Sequence, residues 1–244
     1  MERLMSNGWE ESASAWIAAQ GERGDFGREH VLDPVIMERI SGKRFERALD
    51  VGCGEGRFCR ALKSKGVPAV GIDPTEELIS HAHQRDPDGD YRIGGAESLP
   101  FAAESFDLVV SYLTLLDIDD FRAALAEMTR VLKPGGTLLI ANLNSFITSC
   151  SSGWITDQDG KCLYYPVDRY LEEFPEWVEW SGIRVKNWHR PLASYMKELL
   201  AQGLTLTFFD EPQPQSGDDP EREARYRRAP WFLVMEWRLP QNSP

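Results

Sequence analysis

The sequence is short of cysteine, of histidine and of long apolar runs. Four cysteines and four histidines occur among 244 residues, and no two cysteines form a CxxC pair. This spacing predicts reduced thiols in a cytoplasmic protein, and neither a disulfide framework nor a metal site. No apolar stretch approaches the roughly 18–20 residues that a transmembrane helix needs. The first residues also lack the apolar region of a signal peptide, so we expect no membrane partner.

Basic charge is scarce as well. Lys and Arg number 27 against 39 Asp and Glu, which gives a formal net charge of −12 and a pI near 4.9. Nucleic-acid binding needs a concentrated basic surface, so we expect neither RNA nor DNA as a partner. The apolar fraction of 42% suffices for a packed core. The length fits one α/β domain over residues 1–244, and the oligomeric state cannot be predicted.

Short apolar runs alternate with helix-like segments from Arg47 onward, a pattern typical of βαβ units around a parallel sheet. Strands are predicted at 48–51, 69–73, 91–93, 107–111, 137–141, 204–209 and 231–238, and helices at 57–65, 75–84, 119–132 and 192–202. The segment 143–190 interrupts the pattern and is rich in Trp and Tyr; we predict a hairpin over 177–188 within it. The polar segment 211–228 is predicted to be a mobile loop.

The strongest local signal is the run ALDVGCGEG over residues 48–56. A buried strand enters three glycines at alternate positions, and a helix follows at once. Glycine is needed where a chain turns sharply or lies against a ligand. The alternative is a tight turn that binds nothing. A dinucleotide-binding turn has the spacing GxGxxG, so this GxGxG turn favours a smaller ligand without phosphate and argues against an NAD-dependent dehydrogenase.

Acidic residues follow the next two strands. Asp73 stands at the carboxyl end of the second strand, where a carboxylate can accept hydrogen bonds from both hydroxyls of a ribose. The alternative role for Asp73 is to cap the following helix. Glu97, just past the third strand, could contact the amino group of an adenine. Both positions therefore indicate a nucleoside site at this edge of the sheet.

Four segments in order, DVGCGEGRF, GIDP, GGAESLPFAAESFDLVVS and LKPGG, resemble the motifs of the class I S-adenosylmethionine (SAM)-dependent methyltransferases. The similarity is greatest to the small-molecule enzymes that include the ubiquinone and menaquinone biosynthesis methyltransferases, and it covers about residues 47–141. It implies an α/β, Rossmann-like sheet of seven strands with flanking helices, an antiparallel final strand pair, SAM as cofactor and no metal. On this basis, residues 1–45 are an N-terminal lid segment. Residues 143–190 are an aromatic lid inserted after the fifth strand as a substrate cap.

The resemblance implies transfer of a methyl group from SAM to an O, N or C atom of a small-molecule acceptor by in-line displacement. A SAM-binding regulatory or assembly protein without methyl transfer is the alternative. The residues expected to hold the cofactor are Asp50, Gly52, Cys53, Gly54 and Gly56 at the methionine end, Asp73 at the ribose, and Pro74, Leu78, Ala96 and Glu97 at the adenine. Ser111, with Tyr112 beside it, would border the transferable methyl.

The lid segments supply the remaining candidates. Arg28 could pair with the cofactor carboxylate, or else lie exposed on a helix start. Trp16 is interpreted as a packing residue. If the acceptor is a hydroxyl, His189 is the first candidate for a general base and Asp168 the second. A histidine with a purely structural role is the alternative for His189.

Overall fold

The computed structural model describes residues 7–21, 23–215 and 219–241. The strands in chain order are β1 (Ala48–Val51), β2 (Ala69–Asp73), β3 (Asp90–Ile93), β4 (Phe106–Tyr112), β5 (Leu132–Leu143), β6 (Ile155–Thr156), β7 (Cys162–Tyr164), β8 (Phe174–Trp180), β9 (Ile183–His189), β10 (Thr205–Asp210) and β11 (Phe232–Arg238). The helices are α1 (Trp9–Gln20), α2 (Asp33–Ile40), α3 (Arg57–Ser64), α4 (Glu76–Arg85), α5 (Phe121–Val131), α6 (Ser145–Thr148), α7 (Leu192–Ala201) and α8 (Pro220–Tyr226). A π-helical turn, Arg28–Leu32, leads into α2.

Seven strands form one sheet in the order β10-β11-β5-β4-β1-β2-β3. β1 pairs in parallel with β2 and β4, and β5 pairs in parallel with β4. β11 runs antiparallel to both of its neighbours, β5 and β10. The predicted Rossmann-like seven-stranded sheet with an antiparallel final strand pair is therefore confirmed. Its order reverses at β1, so the turns after β1 and β4 diverge and leave a crevice at their carboxyl ends.

Apolar residues at helical spacing attach helices to both faces of the sheet. On α5, Phe121, Leu125 and Met128 are fully buried in one core with residues of α7. The opposite face carries residues of α2 and α3, among them Ile36 and Leu62. Each such side chain stabilises the fold by about 1.5–3 kcal/mol through burial. The helices thus fix the sheet edge on which the crevice lies.

Three local features differ from the sequence-based expectation. Residues 133–136 form a bulge within β5, since Phe106 pairs with Leu132 and Leu108 with Thr137. The predicted loop 211–228 contains α8, because Asp219 accepts a hydrogen bond from the backbone N–H of Arg222 (2.9 Å) and caps a helix that begins with proline. The segment 143–190 contains the short helix α6. Residues 1–6 and 22 of the N-terminal segment, and 216–218 of the polar loop, lie outside the described residues.

The segment after β5 contains a small ribbon of β6 and β7 and a longer hairpin of β8 and β9. Ser181 and Gly182 form the hairpin turn with φ of 48° and 80°, the conformation that a two-residue turn between twisted strands requires. The hairpin lies where it was predicted. It packs on α1, where the Ser12 hydroxyl donates to the carbonyl oxygen of Arg184 (3.0 Å). Within the described ranges, no helix is long and apolar enough to cross a bilayer.

Candidate functional site

A cavity of about 1020 Å³ lies at the carboxyl ends of β1, β2 and β4. Its floor consists of the turns that follow these strands, and its roof consists of α1 and the turn of the β8–β9 hairpin. Residues of α8 and the start of β11 close one side. Pockets for a single drug-sized ligand measure about 300–1,000 Å³. The volume is therefore enough for two small molecules side by side.

The three glycines of the GxGxG turn have different surroundings. A Cβ on Gly54 would have only the indole nitrogen of Trp16 within 4 Å, at 3.9 Å, so this position faces open space in the cavity. A Cβ on Gly52 would lie 2.1 Å from the Thr114 side chain, and one on Gly56 would lie 2.6 Å from the ring of Tyr91. Gly52 also lines the cavity, whereas Gly56 is buried and does not. Gly56 is thus needed for packing and not for contact with a ligand.

The Asp50 carboxylate, at the end of β1, is 1% exposed and lines the cavity. Its Oδ2 accepts a hydrogen bond from the Cys59 thiol (3.5 Å), while its Oδ1 is buried and has no hydrogen-bond partner. Burial raises the pKa of Asp50 to about 7. An unpartnered buried carboxylate oxygen is costly unless a donor or a cation reaches it. Asp50 therefore fits a ligand that carries positive charge.

The Asp73 carboxylate connects the glycine turn to the start of α4. Its Oδ2 accepts a hydrogen bond from the backbone N–H of Gly54 (3.0 Å), and its Oδ1 accepts one from Thr75 (2.9 Å). Burial raises its pKa, against the effect of these two bonds. Each oxygen can accept a second hydrogen bond, so a local structural role and a ribose contact are compatible. The other predicted nucleoside contacts all line the same cavity: Pro74, Leu78, Ala96 and Glu97.

Arg28 also reaches the cavity. Its guanidinium donates to Oδ2 of Asp25 at 2.6 Å and lies 4.7 Å from the centre of the Trp16 ring. Arg28 is buried and not exposed on a helix start. Trp16 lines the cavity as well, and its ring packs edge-on against Trp9. The interpretation of Trp16 as a packing residue alone is therefore incomplete.

At the end of β4, the predicted residue Ser111 lies away from the cavity, and its neighbour Tyr112 lies next to the cavity. Ser111 is fully buried and does not line the cavity, whereas Tyr112 does. The Tyr112 hydroxyl donates to Oδ1 of Asp33 at 2.9 Å, and Asp33 is held in turn by Arg57. Burial, followed by the Asp33 charge, raises the pKa of Tyr112 well above its usual value. Tyr112 therefore stays neutral and supplies a flat wall.

The structure does not bring His189 or Asp168 to the cavity. His189 is 2% exposed, and both of its ring nitrogens have partners: Nδ1 with the Thr148 hydroxyl (2.8 Å) and Nε2 with the carbonyl oxygen of Tyr170 (3.0 Å). Burial lowers its pKa. Asp168 is exposed and accepts from the backbone N–H of Arg169. The geometry supports a structural role for His189 and no contact of Asp168 with a ligand.

Asp117, in the loop after β4, is a cavity residue that the sequence-based analysis missed. It accepts a hydrogen bond from the Asn187 amide (2.5 Å). Burial raises its pKa to about 8. The sequence does contain a signal, an acidic residue directly after the apolar pair Leu115–Leu116. Two further acidic residues lie just before α5, so Asp117 resembles one of the acidic residues that are common at the start of a helix. No metal-binding cluster of three or more His, Cys, Asp or Glu occurs among the described residues.

Comparison with known proteins agrees with this geometry. The family described as "Methyltransferase domain" matches residues 49–140. The malonyl-[acyl-carrier protein] O-methyltransferase of Salmonella typhimurium is 32% identical over 126 residues, or 52% of this chain and 50% of that protein. The demethylmenaquinone methyltransferase of Renibacterium salmoninarum is 34% identical over 110 residues, or 45% and 46% of the two chains. This chain thus spans about half the length of the curated relatives that it matches.

A solved structure extends the likeness beyond the motif region. The S-adenosylmethionine-dependent methyltransferase from Mesorhizobium loti superposes with a TM-score of 0.75 at 26% identity, over 84% of this chain and 96% of that one. The strand order of this chain and its antiparallel final pair agree with the fold that the motif resemblance implies. Residues 49–140 thus match a methyltransferase domain, and the whole fold is similar to that of a solved S-adenosylmethionine-dependent methyltransferase.

Proposed function

We propose that the protein transfers the methyl group of SAM to an O, N or C atom of a small-molecule acceptor by in-line displacement. The observation that supports this most directly is the cavity floor. Gly54 leaves open space over the turn after β1, and Asp50 offers a buried carboxylate oxygen without a hydrogen-bond partner. Asp73, 19 positions after Gly54, can accept further hydrogen bonds. These three features fit a nucleoside attached to a positively charged amino acid.

We assign the cofactor contacts as follows. Asp50, Gly52, Cys53 and Gly54 face the amino-acid end, Arg28 pairs with its carboxylate, Asp73 binds the ribose, and Pro74, Leu78, Ala96 and Glu97 surround the adenine. Bound SAM supplies an electrophilic methyl group on a sulfonium. The aromatic walls of Trp16 and Tyr112 are suited to lie against that cation. Gly56 and Ser111 are left out of this assignment because they support the turn and the strand from behind.

The acceptor would occupy the part of the cavity over β4, β5 and β11. Its walls there are mostly apolar and aromatic, from Tyr112, Leu143, Tyr226, Trp231 and Phe232. Such walls exclude water and orient a small molecule for direct displacement, and orientation of this kind can account for most of the rate. Because neither His189 nor Asp168 reaches the cavity, we assign them no proton transfer.

The relative that is named for demethylmenaquinone supports a low-molecular-weight methyl acceptor, without identifying the acceptor of this chain. The proposal includes a cytoplasmic location, in line with four free cysteines in the described ranges, and no nucleic-acid partner. A regulatory SAM-binding protein would bind the cofactor and label no metabolite. Incubation with methyl-labelled SAM and a metabolite extract separates the two functions.

Calorimetry tests the cofactor first. We expect the protein to bind SAM and S-adenosylhomocysteine (SAH), and to bind NAD much more weakly. Asp73→Ala should weaken SAM binding by about 2–3 kcal/mol, because a charge-assisted, two-hydroxyl contact is lost. It should also lower stability by about 1–2 kcal/mol, since two backbone donors lose their acceptor. Asp90→Asn, at an exposed position on β3, is the matched control. Tight NAD binding without SAM binding would refute the proposal.

A further inference from the structure

Three arginines line the cavity, and they differ in their partners. Arg28 is paired with Asp25 (2.6 Å), and Arg57 is paired with Asp33 (2.7 Å). The guanidinium of Arg222, on α8, forms no salt bridge and donates no hydrogen bond in the part of the chain that the structure describes. Its side chain is exposed. Arg222 is thus the cavity arginine that an incoming anion can bind without breaking an ion pair of the protein.

The Arg222 side chain lies at the edge of an aromatic cluster. Its guanidinium carbon is 5.2 Å from the centre of the Phe26 ring, and Phe26 packs edge-on against Tyr226 with ring centres 5.2 Å apart. Tyr226 stacks on Trp231 at 4.8 Å and lies 6.0 Å from Phe232. All five side chains line the cavity. Tyr226 follows Arg222 by one helical turn, so the two residues lie on the same face of α8. The charge and the rings therefore form one wall.

This wall lies in the part of the cavity that we assign to the acceptor. Tyr226, Trp231 and Phe232 belong to the acceptor walls, whereas the assigned contacts of the nucleoside lie after β2 and β3. An apolar molecule packed against these rings would have its α8 end beside Arg222. A guanidinium presents a planar fork of N–H donors that matches the two oxygens of a carboxylate. The wall therefore fits an apolar body that ends in an anionic group.

The charge of the cavity favours an anion with a single negative charge. Its acidic lining residues are Asp25, Asp50, Glu55, Asp73, Glu97, Asp117 and Asp119. A phosphate monoester carries a charge of about −1.5 to −2 at neutral pH. It would meet one unpaired cation among these carboxyl groups, and like charges oppose one another. A carboxylate carries one negative charge, which the Arg222 guanidinium balances.

We propose that the methyl acceptor is an apolar carboxylic acid, that Arg222 binds its carboxylate, and that the aromatic cluster holds its apolar body. This inference rests on the proposed function and adds the substrate class to it. Arg222 is a specificity-determining residue for the acceptor and has no part in holding SAM. The carboxylate orients the acceptor, and the methyl group goes to another atom. The product therefore keeps its acid group.

Solvent partition of the labelled product tests the substrate class with the wild-type protein alone. The full chain is incubated with methyl-labelled SAM and a metabolite extract. Unreacted SAM is removed, and the product is shaken with ethyl acetate at about pH 3 and at about pH 8. Since a carboxyl group titrates near about pH 4, the label should enter the organic phase at the lower pH and stay in water at the higher pH. Label in the organic phase at both pH values, as for a neutral product, or in water at both, as for a phosphate, would overturn the inference and leave the proposed function intact.

Arg222→Gln tests the residue itself. The rate of labelling at low extract concentration should fall roughly 10- to 100-fold, because a charge-assisted contact with the acceptor is lost. The loss should shrink as the extract is concentrated, since the contact mainly affects KM. SAM affinity, measured by calorimetry, should equal that of the wild type. Arg225→Gln is the matched control, at an exposed position three residues along α8 and outside the cavity, and should label at the wild-type rate.

The remaining outcomes are distinct. If Arg222→Gln labelled at the wild-type rate at every extract concentration, or if it lost affinity for SAM, the inference would be overturned and the proposed function would stand. If the wild type produced no labelled product, the proposed function would fail, and this inference would fail with it.

Discussion

The floor and the roof of the cavity are held together in different ways. The floor depends on backbone groups: glycines in left-handed conformations and the N–H groups of Gly54 and Thr75 that Asp73 accepts. The roof, formed by α1 and the β8–β9 hairpin, is joined to the rest largely by side chains, such as Asn187 to Asp117 and the Trp188 indole to Asp119 (2.7 Å). A floor of this kind is preformed, whereas the roof depends on a few polar contacts with the loop after β4 and with the start of α4.

The largest effect on stability should come from removing the hydrogen bonds that join the end of the hairpin to the loop after β4. The buried guanidinium of Arg190 donates to the carbonyl oxygens of Leu115 (2.9 Å), Ile118 (2.7 Å) and Asp119 (3.0 Å). Arg190→Met would leave three buried acceptors without a donor and should lower the free energy of unfolding by about 3–4 kcal/mol. Denaturant titration measures this loss. The control Arg184→Met removes an exposed pair with Glu179 and should cost less than about 1 kcal/mol.

If Arg190→Met proved as stable as the control, the roof would be held by apolar packing, and the contrast with the floor would disappear. If the variant bound SAM normally despite its lower stability, the loop after β4 would keep its shape without the roof.

The second effect tests the floor. Gly54→Leu would place a side chain in open cavity space, whereas Gly66→Leu would place one at a surface turn with nothing within 4 Å. Both glycines have positive φ, 54° and 77°, so both variants should lose about 1–2 kcal/mol of stability through backbone strain. Only Gly54→Leu should lose SAM affinity, by about 100-fold or roughly 2.7 kcal/mol. Calorimetry and thermal melting of the two variants separate binding from strain.

Equal SAM affinity in the two leucine variants would place the cofactor elsewhere in the cavity. The GxGxG turn would then be the tight turn without a ligand that the sequence also allowed.

The same contrast explains what could be predicted from the sequence. The floor residues Asp50, Gly54 and Asp73 belong to a short stretch of the chain. The backbone conformation of its turns restricts which residue types can occur there, so the local sequence pattern predicts the site. The sheet was predictable for a related reason, since its strands and helices have regular apolar periods. Asp117 became visible only once the fold brought Asn187, 70 positions later in the chain, to its carboxyl. His189 was a candidate base because histidine is scarce in the sequence. The sequence alone shows neither the burial of a histidine nor its hydrogen-bond partners.

The smallest effect concerns His189. His189→Gln should lower the free energy of unfolding by about 1–2 kcal/mol, because two buried hydrogen bonds are weakened, and should leave SAM affinity and turnover per folded molecule unchanged. Burial holds the folded-state pKa below the unfolded value of about 6.5. The stability from this histidine is therefore present above pH 6.5 and is lost as the pH falls from that value through the lower folded-state pKa.

Melting temperatures at several pH values test the role of His189. The wild type should lose more stability than His189→Gln between about pH 7.5 and pH 5.5. A variant that melted like the wild type but turned over about 100-fold more slowly would restore the general base.

The helix α1 lies over the part of the cavity that we assign to the cofactor. Trp16 stands over Gly54, and the helix is bound on one side to the start of α4, where Glu10 accepts from the backbone N–H of Glu76 (2.9 Å). On the other side it is bound to the hairpin through Ser12. A ligand that lies against Gly54 would therefore have the Trp16 side chain of this helix beside it. If exchange of the cofactor requires α1 to move outward, entry and departure share that step. The rate of repeated turnover would then depend on the movement of this helix, whatever acceptor is bound.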